Sequence, residues 1–206
     1  MTWSSGAVFL LVNVIAYLHA YRFTHFENDS GTRTKDPSEL SLPDKATVVI
    51  TGVYNPRPCH TRTPTVPFAK IQIEANPMLE VWRIDVPQSK GLIVMFHGYA
   101  GEKSSLLERS NELNKLGYST ALVDFQGSGG SSGNSTSIGY HEADQVLTTF
   151  QYFKQQGEEK IILFGTSMGS AAILKALYDQ QDKNTLNPAG IVLECPFGSL
   201  YKTVCA

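Results

Sequence analysis

Residues 161–177, IILFGTSMGSAAILKAL, limit the possible fold more than any other stretch of the chain. The short apolar run at 161–164 reads as a strand buried on both faces. Gly165-Thr166-Ser167-Met168-Gly169 follows, a G-x-S-x-G. Ala171, Ala172, Leu174, Ala176 and Leu177 are then good helix formers. The serine therefore sits where a strand turns sharply into a helix. Such a turn forces positive φ on the serine, and the flanking glycines let strand and helix approach closely. Its hydroxyl then projects above the sheet edge. The amide of Met168 lies at a helix N-terminus, where unpaired N–H groups and the helix dipole favour an anion. One turn thus supplies a nucleophile and half an oxyanion hole. The competing structural reading is a tight strand–helix turn in which Ser167 is simply an N-cap.

The rest of the chain decides between these readings. Its 206 residues suit one domain, or one domain plus an anchor. Apolar residues make up 42% and charged residues 17%, which excludes a disordered chain. The net charge is −2 and no basic stripe is present, so nucleic acid is not an expected partner. Cys59, Cys195 and Cys205 form no C-x-x-C or Cys/His ligand spacing, so neither a metal site nor a disulfide framework is expected. The neighbouring pair Cys59 and His60 lacks further ligands and reads as loop.

The N-terminus is apolar from residue 6 to 20, broken only by Asn13 and His19. Extended over 3–26 it reaches the length that crosses a bilayer. Trp3 at one end and Tyr17, Tyr21, Phe23 and Phe26 near the other suit the membrane–water interface. No Lys or Arg precedes the run and no A-x-A site follows it, which disfavours a cleaved signal peptide. An uncleaved anchor over 1–26 is expected, with a buried helix as the alternative. Arg22, Arg33 and Lys35 follow the span, too few charges to fix its orientation. Residues 27–67 read as a linker and irregular segment, with a candidate strand or linker end at 47–53 and four prolines in 55–67.

From residue 68 the pattern becomes regular. Alternation at 68–74 and 80–86 around Asn76-Pro77-Met78 predicts an antiparallel hairpin. The runs at 91–96, 119–123 and 161–164 predict buried strands, and 191–194 predicts one more strand. Helices are expected at 104–116, with Leu106, Leu107, Leu113 and Leu116 on one face, and at 138–156. Gly117 suits the end of the first. Alternating strands and helices predict a mostly parallel sheet with helices on both faces. Active sites in such sheets lie at the carboxyl ends of the strands.

Three strand ends carry further signals. After 91–96 comes His97-Gly98-Tyr99-Ala100-Gly101, a glycine-lined turn whose Tyr99 amide can face that of Met168 and complete an oxyanion hole. His97 suits a loop-holding hydrogen-bonding role better than that of a base. The 124–133 segment, DFQGSGGSSG, matches neither a dinucleotide fingerprint nor a phosphate loop and reads as a rim loop. Glu194 at the end of the last strand either orients a base or is structural, and Cys195 reads as inert.

Taken together, HGYAG at 97–101, DFQGSGGSSG at 124–133, GTSMG at 165–169 and ECPF at 194–197 resemble the α/β-hydrolase superfamily, in its serine aminopeptidase and lysophospholipase-like branch. The resemblance covers residues 68–206. It implies that Ser167 is the nucleophile and that the amides of Tyr99 and Met168 form the oxyanion hole. No cofactor is implied. Gln126 stands where relatives usually carry arginine, so the salt bridge that ties this loop in relatives is not expected. In the superfamily the triad runs Ser, then Asp or Glu, then His. The last histidine here is His141, before the serine. The expected fold is therefore an α/β-hydrolase domain incomplete at its C-terminus, with an exposed sheet edge. It is either a fragment of a longer enzyme or a truncated product. Two functions follow: a serine hydrolase cleaving an ester, thioester or peptide bond of a small-molecule, lipid or peptide substrate through an acyl-enzyme, or an impaired relative that acts as a binding module.

Overall fold

The computed structural model describes residues 2–27, 33–181 and 185–205. Residues 28–32 of the expected linker lie outside these, as does the side chain of Trp3. The chain forms two compact units, Met1–Arg57 and Pro58–Ala206.

The first unit contains α1 (Thr2–Thr24) and α2 (Leu42–Thr51). α1 is apolar all round rather than on one stripe, and its stretch Ser5–Thr24 is long and apolar enough to cross a membrane. α2 replaces the strand or linker end expected at 47–53. The β-branched run Thr47 to Thr51 suggested strand, but the start signals upstream prevail. Ser41 is the N-cap and accepts from the Asp44 amide at 3.3 Å, and Pro43 occupies the first turn. Gly52 ends the helix at φ 83°, its N–H on the Val48 carbonyl at 2.8 Å.

The second unit is built on six strands: β1 (Ala69–Ile73), β2 (Leu79–Ile84), β3 (Leu92–Phe96), β4 (Ser119–Val123), β5 (Ile161–Thr166) and β6 (Gly190–Glu194). They lie in the order β1-β2-β4-β3-β5-β6. β1 and β2 form the expected antiparallel hairpin, and β2 also runs antiparallel to β4. The pairs β4–β3, β3–β5 and β5–β6 are parallel. Residue alternation explains the continuous apolar runs. In β3, Leu92, Val94 and Phe96 enter one core while Ile93 and Met95 enter the other. β4 and β5 divide their residues in the same way, with Leu163 in the first core and Phe164 in the second.

Helices α4 (Glu142–Gln155) and α5 (Met168–Gln180) supply the first core with Val146, Phe150, Phe153, Ala172 and Ile173. α3 (Leu107–Lys115) covers the other face with Leu107 and Leu113. Leu116, expected on that face, is instead exposed, because it lies past the last helical turn. Gly117, at φ 89°, closes that end on the Asn114 carbonyl. α4 starts four residues later than the periodicity suggests. Ile138 has φ 57°, and the buried Glu142 carboxylate reaches back to the Ser137 amide at 3.0 Å and the Gly139 amide at 2.8 Å. A short helix, α6 (Leu200–Val204), follows β6. β6 is an edge strand, with Ile191 and Val192 both partly open to solvent.

Candidate active site

Ser167 occupies the single residue between β5 and α5, with φ 49° and ψ −109°. That conformation costs a non-glycine residue on the order of 1–3 kcal/mol and persists only where its surroundings impose it. Here they do. The Ser167 amide donates to the Glu194 carbonyl at 2.8 Å, and its carbonyl accepts from Ala171 at 3.1 Å. Ser170 is fully buried, and its hydroxyl donates to the carbonyls of Gly165 at 2.7 Å and Glu194 at 3.0 Å. The two glycines of the motif are required by contact. A methyl on Gly165 would lie 2.6 Å from the Gly169 carbonyl carbon, and one on Gly169 would lie 2.4 Å from the Phe96 oxygen.

The alternative that Ser167 is only a cap fails on one point. It holds the N-cap position, but its hydroxyl makes no capping hydrogen bond. Met168 opens α5, so its N–H falls in the turn that has no intrahelical acceptor.

The 97–101 turn lies directly against this elbow. A methyl on Gly98 would sit 3.4 Å from Ser167 Cβ. Gly101 closes the turn on the Gly98 carbonyl at 3.1 Å, and Ala100 takes φ 51°. Tyr99 sits between them, half-buried against the first core. The structure thus gathers the segments that carry Ser167, Met168 and Tyr99 at the carboxyl ends of β3 and β5.

His97 is fully buried and holds the loops together. Its Nε2 accepts from the Phe125 amide at 3.1 Å, which leaves the proton on Nδ1 to be donated to the Gly98 carbonyl at 2.8 Å. Burial pushes its pKa down, against the pull of Asp124, so the ring stays neutral. Both ring nitrogens are committed, so the loop-holding role stands. His60 donates or accepts in a separate network, and the His141 ring packs edge-on against Tyr140.

The 124–133 loop needs no arginine. Gln126 donates its amide to Gln145 Oε1 at 2.9 Å and its side-chain Nε2 to Ser135 Oγ at 2.8 Å. Glu194 acts on the elbow through its backbone. Its carboxylate makes a two-pronged pair with Arg109 Nε, at 3.0 and 2.8 Å. Cys195 follows at φ 49° and is exposed.

One constellation was not legible in the sequence. His60 Nε2, Glu80 and Asp124 place their ligand atoms within 4.8 Å of one another. The space between them is taken by the ammonium of the fully buried Lys103, 2.8 Å from Glu80 Oε1, 2.8 Å from His60 Nε2 and in contact with Asp124 Oδ2. The same ammonium lies 4.4 Å from the centre of the Trp82 ring. His60 is therefore part of a buried ionic network and not only a loop residue. Asp124 also accepts from the amides of Lys103 at 2.8 Å and Gly130 at 2.9 Å, which ties the two rim loops together. Burial alone would raise its pKa; the His60 hydrogen bond and the Lys103 charge outweigh this and hold it well below the ordinary carboxylate range. The four side chains come from separate segments, so no local spacing announces them.

A cavity of about 1100 Å³ lies on the α3 face, lined among others by Ile84, Arg109, Leu113, Phe164 and Glu194. Ser167 does not line it.

A family profile described as serine aminopeptidase, S33, matches residues 87–204. Among solved structures, the esterase Pf2001 of Pyrococcus furiosus is 25% identical over 61% of this chain and 53% of its own, with a TM-score of 0.54. A second crystal form of that esterase gives 24% identity over 68% and 55%, with a TM-score of 0.57. The α/β hydrolase GrgF from Penicillium sp. sh18 is 20% identical over 64% and 46%, with a TM-score of 0.55. The chain spans about half the length of these relatives. No curated protein sequence matches it.

Proposed function

We propose, from the premise that this chain belongs to the serine aminopeptidase S33 family and has the α/β-hydrolase fold, that it is a serine hydrolase working through an acyl-enzyme on Ser167. The bond cleaved is an ester, thioester or peptide bond. An ester is the first to test, because the Pyrococcus furiosus protein it resembles is named an esterase. In this reading the Ser167 hydroxyl attacks the carbonyl carbon, and the amides of Tyr99 and Met168 hold the resulting oxyanion. The observation that carries the proposal is the strained elbow: Ser167 is held at φ 49° with a hydroxyl that caps nothing. α1 anchors the protein in a membrane.

The test is labelling of folded protein with a fluorophosphonate probe. An adduct on Ser167, absent from Ser167→Ala, is expected. A folded protein that takes no adduct would count against the proposal. One observation favours a second reading, a binding module without turnover. His60, His97 and His141, the histidines of the second unit, each have their contacts elsewhere and none bonds to Ser167. Ester turnover by this chain, abolished in Ser167→Ala, would remove that reading.

A further inference from the structure

We propose that α2 is an interfacial helix whose exposed apolar face lies in the lipid headgroup layer beside α1. The proposal rests on reading α1 as a membrane span. α2 has no buried residue, although half of it is apolar. Its large apolar side chains face outward: Leu42 is 82% exposed, Val49 65% and Ile50 53%. With Ala46 they follow a spacing of three and four residues, so they form one continuous stripe. Water is a poor solvent for that stripe. Asp44 and Lys45 stand in the opening turns and give the helix a polar end.

The position of α2 along α1 selects lipid as the occupant. His19 of α1 bonds the Val49 carbonyl at 2.9 Å, and Gly52 lies against the His19 backbone. Val49 is in the last turn of α2, where carbonyls lack helical partners and need one if water is excluded. The apolar span is Ser5–Thr24, about 30 Å long at 1.5 Å per residue. His19 lies about 7.5 Å short of its Thr24 end on the same measure. Interfacial helices bury their apolar face to a depth of about 5–10 Å. Tyr17 and Tyr21 flank the same level on α1, and both are exposed. Such aromatic rings favour that layer. The docking of α2 therefore places its stripe at the depth where an amphipathic helix inserts.

Nitroxide labels on the whole chain, reconstituted in phosphatidylcholine vesicles, test this. Cys59, Cys195 and Cys205 are first replaced by serine. Single labels then go on Leu10→Cys in α1, Ile50→Cys in α2, and Glu112→Cys on α3 as a water reference. Collision rates are read with oxygen, which concentrates in lipid, and with a nickel chelate, which stays in water. Oxygen dominating at 10 and 50, and the chelate at 112, is the expected result. Oxygen dominating at 10 and the chelate at 50 would overturn the placement of α2 and leave the span intact. The chelate dominating at both would overturn the span and the placement together. Val49→Cys, on the same stripe, provides a second reading should the label at 50 disturb the helix.

Discussion

The main-chain N–H of Ser167 rests on the carbonyl of Glu194 at 2.8 Å, so the edge strand β6 sets the height of the elbow. The contact is backbone to backbone, and the Glu194 side chain turns away to Arg109. That ion pair is well exposed on both sides, where such pairs contribute at most about 1 kcal/mol. Glu194→Ala should therefore keep the fluorophosphonate labelling rate within about twofold and shift stability by less than about 1 kcal/mol. A loss of labelling in a folded variant would show that the carboxylate has a direct part in the site.

Strain at position 167 makes a separate prediction. Glycine takes φ 49° at little cost, whereas alanine is strained there. Ser167→Gly and Ser167→Ala should both lose labelling. The glycine variant should nevertheless be more stable than the alanine variant by about 1 kcal/mol, after glycine's own entropy cost is counted. Urea unfolding midpoints measure the difference. Equal midpoints would mean that the elbow carries no strain.

Removing the central cation of the buried network should be severe. Lys103→Met leaves the buried carboxylates of Glu80 and Asp124 facing one another, with the exposed Lys70 still on Glu80 and His60 still on Asp124. Breaking a buried pair in this way costs about 3–5 kcal/mol. Because Asp124 also holds the amides of Lys103 and Gly130, the rim loops should loosen first. Hydrogen exchange of those two amides would rise before global unfolding does; unchanged protection would refute the link between the network and the loops.

Acid should act in two windows. The His97 pKa is lowered by burial, so below about pH 6.5 the unfolded chain takes up a proton that the folded one refuses. Stability then falls by up to about 1.4 kcal/mol per pH unit as pH drops. Asp124 is depressed in the fold. Its contribution is complete above the unfolded value near 3.9 and is lost as pH falls further. Denaturant midpoints measured from pH 7 to pH 3 should show the first decline set in below about 6.5, and His97→Asn should flatten it. An unaltered decline in that variant would assign the effect to another group.

Much of the second unit is legible in its residues alone. Runs such as LIVMF are unambiguous because both faces of β3 are buried, and G-x-S-x-G between strand and helix has few other meanings. The local readings failed where tertiary contacts or caps outweigh periodicity. α2 is helical because Ser41 and Pro43 start it, despite its β-branched run. α4 starts late because Glu142 folds back on the preceding loop. The Lys103 network was invisible because it joins segments far apart in sequence, and a lysine in isolation reads as surface.

The contact between Gly169 and the carbonyl of Phe96 has a wider meaning. Phe96 leads straight into the 97–101 turn, and Gly169 belongs to the first turn after Ser167. The Ser167 elbow and the 97–101 turn are thus geared through one joint with no slack for a methyl group. Sequence change in chains of this design is therefore steered to the outer loops, because adjusting either half of that joint drags the other with it.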